Sequence, residues 1–168
     1  MRTLPASRLP MLAAIAALTT APLGSPAATK TATFQVLATM VSDCTIISAP
    51  NIDFGTIGVM TANIDASSTL VVACTPGTAY SVALDPGTGA GSTISDRRMA
   101  SGGGGSLKYQ LFRDSMRTQN WGNTIGTDTV GGTGNGGNNA HVIYARVPTQ
   151  TAPAVGSYAS TVTVTINY

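Results

Sequence analysis

The stretch Gly156-Ser157-Tyr158-Ala159-Ser160-Thr161-Val162-Thr163-Val164-Thr165-Ile166-Asn167-Tyr168 decides the fold of this 168-residue chain. From Val162 onward, apolar residues occupy every second position, with Thr or Asn between them. This period is typical of a strand with one buried and one solvated face, and these residue types favour strands. No Lys or Pro blunts the strand, and a regular apolar edge is a template for pairing with another chain. We therefore predict that pairing is the function of this strand.

The first residues have the pattern of a secretory signal peptide. Arg2 and Arg8 give a basic start, residues 11–18 form an apolar run, and Ser25-Pro26-Ala27 is a small-residue cleavage site. The apolar run is too short to span a bilayer. We expect residues 1–27 to be removed on export, which leaves a single domain of about 140 residues with no stable membrane insertion.

The charge and composition of the remaining chain exclude several partners. Without Arg2 and Arg8, two Lys and five Arg stand against seven Asp, so the net charge is near zero, and there is no Glu. A neutral chain with scattered charges has no electrostatic footprint for nucleic acid or an anionic membrane. Abundant Thr, Val, Ser and Gly favour an all-β chain over a helical one.

The two cysteines, Cys44 and Cys74, survive cleavage of the signal peptide and enter an oxidising compartment. A pair in that setting is most simply a disulfide, and closing a loop of this size stabilises a fold by roughly 3–4 kcal/mol. Neither cysteine has another cysteine or a histidine nearby in sequence, so we expect no metal site.

Short apolar segments separated by turn residues predict a β-sandwich with no helical period. The first is unusually long, over residues 29–41, and alternates so that one face carries Ala32, Phe34, Val36, Ala38 and Met40. The predicted strands after it cover residues 44–47, 52–54, 68–74, 80–84, 107–112 and 141–147, followed by the closing stretch.

No residue pattern predicts an enzyme, a catalytic residue or a cofactor. Residues 132–137 fit G-x-G-x-x-G, but a strand rather than a helix follows, so we interpret them as a loop. His141 has no nucleophile or orienting partner that the sequence singles out, and the seven Asp are spread through turns. Trp121, with Tyr109 and Phe112, offers an aromatic platform for a sugar, although sparse aromatics are more often core or loop anchors.

Several segments together resemble a known family. They are Cys44 and Cys74, Asp53-Phe54-Gly55, Leu107-x-Tyr109-x-Leu111-Phe112-x-Asp114 with Arg117, Tyr144-x-Arg146-Val147-Pro148, and the closing stretch from Gly156. In this order they cover nearly the whole exported chain, and the closing stretch is the most specific. The chain resembles the spore coat protein U domain family, the secreted Csu-type subunits of archaic chaperone–usher pili. Ala145 stands where that family is expected to carry Gly, which is a small departure.

The resemblance implies an immunoglobulin-like β-sandwich over residues 42–168 that lacks its final strand. A periplasmic chaperone would lend a strand during folding, and at an outer-membrane usher the N-terminal segment of the next pilus subunit would replace it. Residues 28–41 would be the donor segment, inserting Ala32, Phe34, Val36, Ala38 and Met40. The edge of the acceptor groove would carry Val162, Val164, Ile166 and Tyr168.

The resemblance thus implies a non-enzymatic pilus subunit that passes through the periplasm to the cell surface and supports adhesion or biofilm formation. One alternative is a spore-coat or surface-matrix protein that works without an usher. Another is a small secreted carbohydrate-binding module that uses Trp121 and the Gly-rich loops.

Overall fold

The computed structural model describes Gly24 and residues 26–168, so the predicted signal peptide lies almost wholly outside the described residues. The chain divides into two units, Met1–Ala38 and Thr39–Tyr168. In the described part of the first unit no residue belongs to a strand, and the side chains of Phe34 and Val36 are 88% and 85% exposed. The strand predicted over residues 29–41 is therefore not a strand in the isolated chain, because none of its residues joins a hydrogen-bonded ladder.

Eight strands lie in the described part of the chain, all in the second unit and without any helix. They are β1 Cys44–Ser48, β2 Ile64–Cys74, β3 Ala79–Leu84, β4 Arg97–Ala100, β5 Ser106–Phe112, β6 Val130–Thr133, β7 Asn138–Val147 and β8 Val164–Asn167. Since the described residues form no helix, none that could cross a membrane is present among them.

The strands form two antiparallel sheets. One has the order β1-β2-β7-β5-β4 and the other the order β6-β3-β8. The longest ladder joins β2 to β7 and runs from the pair Ile64 and Val147 to the pair Ala73 and Asn138. Buried apolar side chains from both sheets form one core, so the all-β sandwich predicted from the sequence is confirmed.

Alternation in the sequence explains which strand faces are buried. In β5, Leu107, Tyr109 and Leu111 are buried while Ser106 and Lys108 are exposed, as the twofold period of a strand requires. In β3 Ala83 is buried as well as its two neighbours, so the alternation is lost at the end of that strand. The other buried residues of β2, β7 and β3 follow the same rule and supply most of the core: Leu70, Val72, Cys74, Ile143, Ala145, Val147, Tyr80, Val82 and Leu84.

The structure differs from the strand predictions at three further places. Residues 52–54 are irregular, although the sequence predicts a strand there. Strands β4 and β6 were not predicted, because β4 begins with Arg97 and Arg98 and β6 contains Gly131 and Gly132. Both are held by their ladders to β5 and β3, so the tertiary partner overrides the weak local preference.

The disulfide between Cys44 and Cys74 is present, as predicted. The two residues are directly opposite each other in the antiparallel ladder of β1 and β2. The bond therefore joins the first residue of β1 to the last residue of β2.

His141 belongs to a core cluster between the sheets. Its Nε2 atom and the Tyr80 hydroxyl form a hydrogen bond of 2.9 Å, and the Tyr80 and Trp121 rings both meet the imidazole edge to face. Burial lowers the pKa of His141 and raises the pKa of Tyr80, so both groups are neutral at pH 7. The cluster thus packs the core, in agreement with a structural role for the histidine.

Arg97 is a fully buried charged side chain. Its guanidinium donates only to main-chain carbonyls: Nε to Asp85, Nη1 to Ile94, and Nη2 to Leu84, Asp85 and Trp121, at 2.7 to 3.2 Å. Buried carbonyls without a donor are costly, so one side chain here satisfies the end of β3 and the connections around it.

We expect Arg97→Met to lower the free energy of unfolding by about 3 kcal/mol or more, because it leaves several buried carbonyls unpaired. Arg98→Met is the matched control, since Arg98 is the next residue and its half-buried side chain pairs with Asp96. That control should cost about 1 kcal/mol or less. Urea unfolding of the three chains measures both values, and equal losses would contradict the role of Arg97.

Candidate strand-acceptor groove

An apolar groove runs along the second unit between two stretches of chain. One wall is the irregular segment of residues 49–60, and the other is the segment of residues 152–164 leading into β8. The groove has two compartments that meet at Ile52, Phe54, Met99 and Tyr158. The inner compartment has a volume of about 520 Å³ and the outer one about 690 Å³.

The inner compartment reaches the core of the sandwich. Its lining includes Leu84 from β3, Met99 from β4, Leu111 from β5 and Ile143 from β7. Asp53 is the one charged residue that lines it among the described residues. An occupant must therefore bring apolar side chains to this compartment, since burying an uncompensated charge there is costly.

Strand β8 forms an open sheet edge beside the groove. Within the described residues it pairs with β3 alone, and it ends its sheet. The Thr163 carbonyl accepts the Asp85 N–H, and the Thr163 N–H donates to the Asp85 carboxylate. Because alternate residues of a strand bond to the same side, Thr165 and Asn167 also direct their N–H and C=O groups toward β3. The main-chain groups of Val162, Val164 and Ile166 consequently point the other way, toward the groove, while their half-buried side chains pack against the core.

Asp85 holds this wall of the groove in position. Its carboxylate accepts the main-chain N–H of Thr163 at 2.9 Å and that of Gly87 at 2.9 Å. Burial by itself raises the pKa of Asp85, but the hydrogen bonds from Thr163 and Gly87 and the nearby Arg97 outweigh burial and hold the pKa below its usual value. Thr88 extends the contact, because its hydroxyl accepts the N–H of Thr161 at 3.0 Å.

The groove is closed at one end and open at the other. At the closed end the Tyr168 hydroxyl donates to the Asp43 carboxylate at 3.1 Å, and Cα atoms of β1 and β8 come within 8 Å of each other. At the open end Val59 and Val155 line the outer compartment and are fully or almost fully exposed.

The structure brings together some of the residues predicted from sequence. Val162 and Val164 line the groove and Ile166 packs against the core beside it, whereas Tyr168 is exposed and lies at the closed end. The predicted donor residues belong to an exposed segment without a ladder: Ala32, Phe34, Val36, Ala38 and Met40. Their role as a donor strand stays a prediction.

The interpretation of Trp121, Tyr109 and Phe112 as an aromatic platform for a sugar is wrong. Trp121 is fully buried and its indole N–H donates to the Val82 carbonyl at 2.9 Å, while Tyr109 and Phe112 are also buried. In the part of the chain that the structure describes, no group of three or more His, Cys, Asp or Glu is arranged to hold a metal ion.

Sequence reasoning missed most of the opposite wall, on which the family resemblance singles out Asp53-Phe54-Gly55, and most of the groove floor. The wall at residues 49–60 has no period, and Met99 lies on the unpredicted strand β4. A further signal in the sequence is the turn Asp85-Pro86-Gly87 after β3, because Asp85 also bonds to the groove wall.

The model of the Spore Coat Protein U domain matches residues 30–165, and the chain belongs to this family. The predicted family is thereby confirmed. No curated protein matches the sequence.

Among solved structures, the chain is similar to one in the crystal structure of the CsuC-CsuE chaperone-tip adhesion subunit pre-assembly complex from archaic chaperone-usher Csu pili of Acinetobacter baumannii. The TM-score is 0.59 at 23% identity, over 76% of this chain and 40% of that chain. This chain therefore spans less than half the length of that neighbour. The likeness supports the same immunoglobulin-like fold.

We expect Asp85→Ala to loosen the β8 wall, because the N–H groups of Thr163 and Gly87 lose their acceptor. Hydrogen exchange at Thr163 should become faster, while exchange in the β2–β7 ladder stays unchanged. Since the folded pKa of Asp85 is lowered, its stabilising contribution is present above the ordinary pKa of 3.8 and is lost as the pH falls through the folded pKa. The protection factor of the Thr163 N–H, which corrects the observed exchange rate for its intrinsic pH dependence, should therefore fall only below about pH 4 in the wild-type chain; a fall already at pH 6 would contradict this role.

Proposed function

We propose that the protein is a structural pilus subunit, without enzymatic activity, that polymerises by donor-strand exchange through a chaperone–usher pathway. The observation that carries this proposal is the open edge of β8 beside an apolar groove, in a chain of this family. The solved neighbour, a chaperone–subunit complex of archaic pili, supports the same assignment of partners. The subunit would pass through the periplasm to the cell surface, where the pilus supports adhesion or biofilm formation.

The donor segment matches the groove in length and period. Residues 32–40 in extended conformation span about 30 Å, the same as residues 158–166 along the opposite wall. In an antiparallel pair, residues directly opposite each other project to the same face. Ala32 opposite Ile166 and Met40 opposite Tyr158 would place all five apolar donor side chains in the groove.

The closed end supports the antiparallel orientation. The contact between Tyr168 and Asp43 obstructs the groove beside Cys44, so the body attached to a donor must leave at the open end. β8 runs from the open to the closed end, and the donor would therefore run against it. Antiparallel pairing also gives the straighter hydrogen bonds.

Burial of the donor is large enough to matter for stability. Fully burying Phe34, Val36 and Met40 contributes about 1.5–3 kcal/mol for each side chain, or on the order of 5–10 kcal/mol together, as an upper estimate. This approaches the whole stability of a typical domain. A subunit with an empty groove should therefore be marginal, which explains the need for a chaperone.

A surface-matrix protein that works without an usher is the second candidate, and it shares the family. Genes for a chaperone and an usher beside this one would favour the pilus. The carbohydrate-binding alternative loses its support, because the aromatic side chains proposed for it are buried.

A chain carrying a second copy of residues 29–41 after Tyr168, joined by a short flexible linker, should melt well above the parent chain. The linker lies at the closed end, so the graft can run back along β8 as an antiparallel hairpin. Val36→Arg in the grafted copy should cancel the gain, because it places a charge in the apolar groove.

Gln35→Arg in the graft is the matched control, since the side chain of Gln35 faces away from the groove and should leave the gain intact. Thermal melts of the parent, the graft and the two variants measure the effect. Strand donation is wrong for this protein if the graft melts no higher than the parent, or if both arginine variants behave alike.

Deletion of residues 29–37 should separate the two activities of the subunit. The shortened chain keeps its groove and should still bind the chaperone, but it has no strand to donate and should terminate polymers. Co-purification with the chaperone and the size of polymers on non-denaturing gels measure the two properties. Polymers of undiminished length would count against this segment as the donor.

A further inference from the structure

The outer compartment of the groove, with a volume of about 690 Å³, has an apolar lining that faces solvent. Val59 and Val155 stand on its rim and Met60 is buried at its base. Asp53 is its one charged lining residue among those described. Exposed apolar surface of this kind marks a contact site, and desolvating it costs little.

The proposed donor strand does not reach this compartment. With Ala32 opposite Ile166, its last apolar side chain, Met40, lies opposite Tyr158, where the two compartments meet. The rim at Val59 and Val155 lies beyond this point, toward the open end. In this register the donor strand therefore leaves the outer compartment uncovered.

The length of chain after the donor limits what that element can be. Three residues, 41–43, separate Met40 from Cys44, so the two Cα atoms are at most about 14 Å apart. Asp43 is fixed to the body of its own chain, because its N–H donates to the Thr75 hydroxyl and its carbonyl accepts the Thr75 N–H, at 3.1 and 3.0 Å. The body of the neighbouring copy must therefore begin next to the open end of the groove.

We propose that the outer compartment is the docking site for the turn of residues 75–77 on a second copy of this chain. The inference rests on the proposed function. The turn lies directly beside Asp43 and presents Pro76, which is exposed, uncharged and without an N–H to desolvate. It is held in shape by hydrogen bonds from Thr78 to the Thr75 carbonyl and from Gly77 to the Gly134 carbonyl. Each junction in the polymer would then have a strand in the inner compartment and a turn in the outer one.

Two analytes separate the two compartments. The acceptor is the full chain, immobilised, and the analytes are a synthetic peptide of residues 29–41 and the grafted full chain, whose own groove is filled. In the acceptor, Val59→Asp with Val155→Asp should leave peptide binding within about twofold and accelerate dissociation of the full chain on the order of tenfold. Both substituted side chains are exposed, and unchanged peptide binding shows that the variant is folded.

Ile125→Asp is the matched control, because Ile125 is also exposed and apolar but lies in the connection between β5 and β6. It should change neither analyte. Pro76→Asp in the full-chain analyte should accelerate dissociation to a similar extent. When the variant analyte meets the variant acceptor, the loss of binding free energy should be smaller than the sum of the two single losses, as expected of one shared contact.

Each remaining outcome overturns the inference. Equal weakening of the peptide and the full chain would show that the outer compartment belongs to the strand site. No weakening of either would show that nothing docks there. A wild-type acceptor that does not bind the peptide would overturn strand donation itself, and with it this inference, so the two failures are distinguishable.

Discussion

The open edge of β8 is the constraint on which the rest of the structure depends. One side of the strand is satisfied by β3, Asp85 and Thr88, while the main-chain groups of alternate residues on the other side face the groove. The same residues direct apolar side chains toward the core. Water can satisfy the polar main-chain groups but leaves the apolar side chains exposed. A purely apolar ligand covers the side chains but leaves the main-chain groups without hydrogen-bond partners. An extended strand satisfies both at once.

The surrounding structure fixes this edge rather than covering it. Arg97 binds the carbonyls at the end of β3, and Asp85, the residue after that strand, binds the N–H of Thr163. The wall of the groove is thus tied to the fully buried guanidinium through a single residue. On the other side, the disulfide and the contact between Asp43 and Tyr168 secure the closed end. A preformed edge lowers the ordering cost of strand addition.

The sequence predicted those strands whose apolar and polar residues alternate in the way that their position in the sheet requires. Strands β5, β7 and β8 alternate clearly, and the two cysteines pair as expected. It failed at β4 and β6, where arginines and glycines carry no strand preference and the ladder to a neighbour decides the structure. The fold requires glycine at position 132, since a side chain there would collide with the Tyr80 ring. The groove wall at residues 49–60 could not be predicted, because this segment joins no β-ladder and its sequence has no regular alternation of apolar and polar residues.

Residues 29–41 show that an alternating pattern alone does not establish a strand. The pattern is that of a strand, yet the segment joins no ladder in the isolated chain, since alternation reports the faces of a strand and not its partner. The direction of the chain explains why that partner should be another copy. This segment leads directly into Cys44 at the closed end of its own groove, so folding back into that groove would make it run parallel to β8. In the proposed polymer, a neighbour's segment would enter from the open end and run antiparallel, which is the more stable pairing. If the segment is a donor strand, as proposed, the short connection of residues 41–43 at the closed end would therefore favour donation to a neighbour over insertion into its own groove.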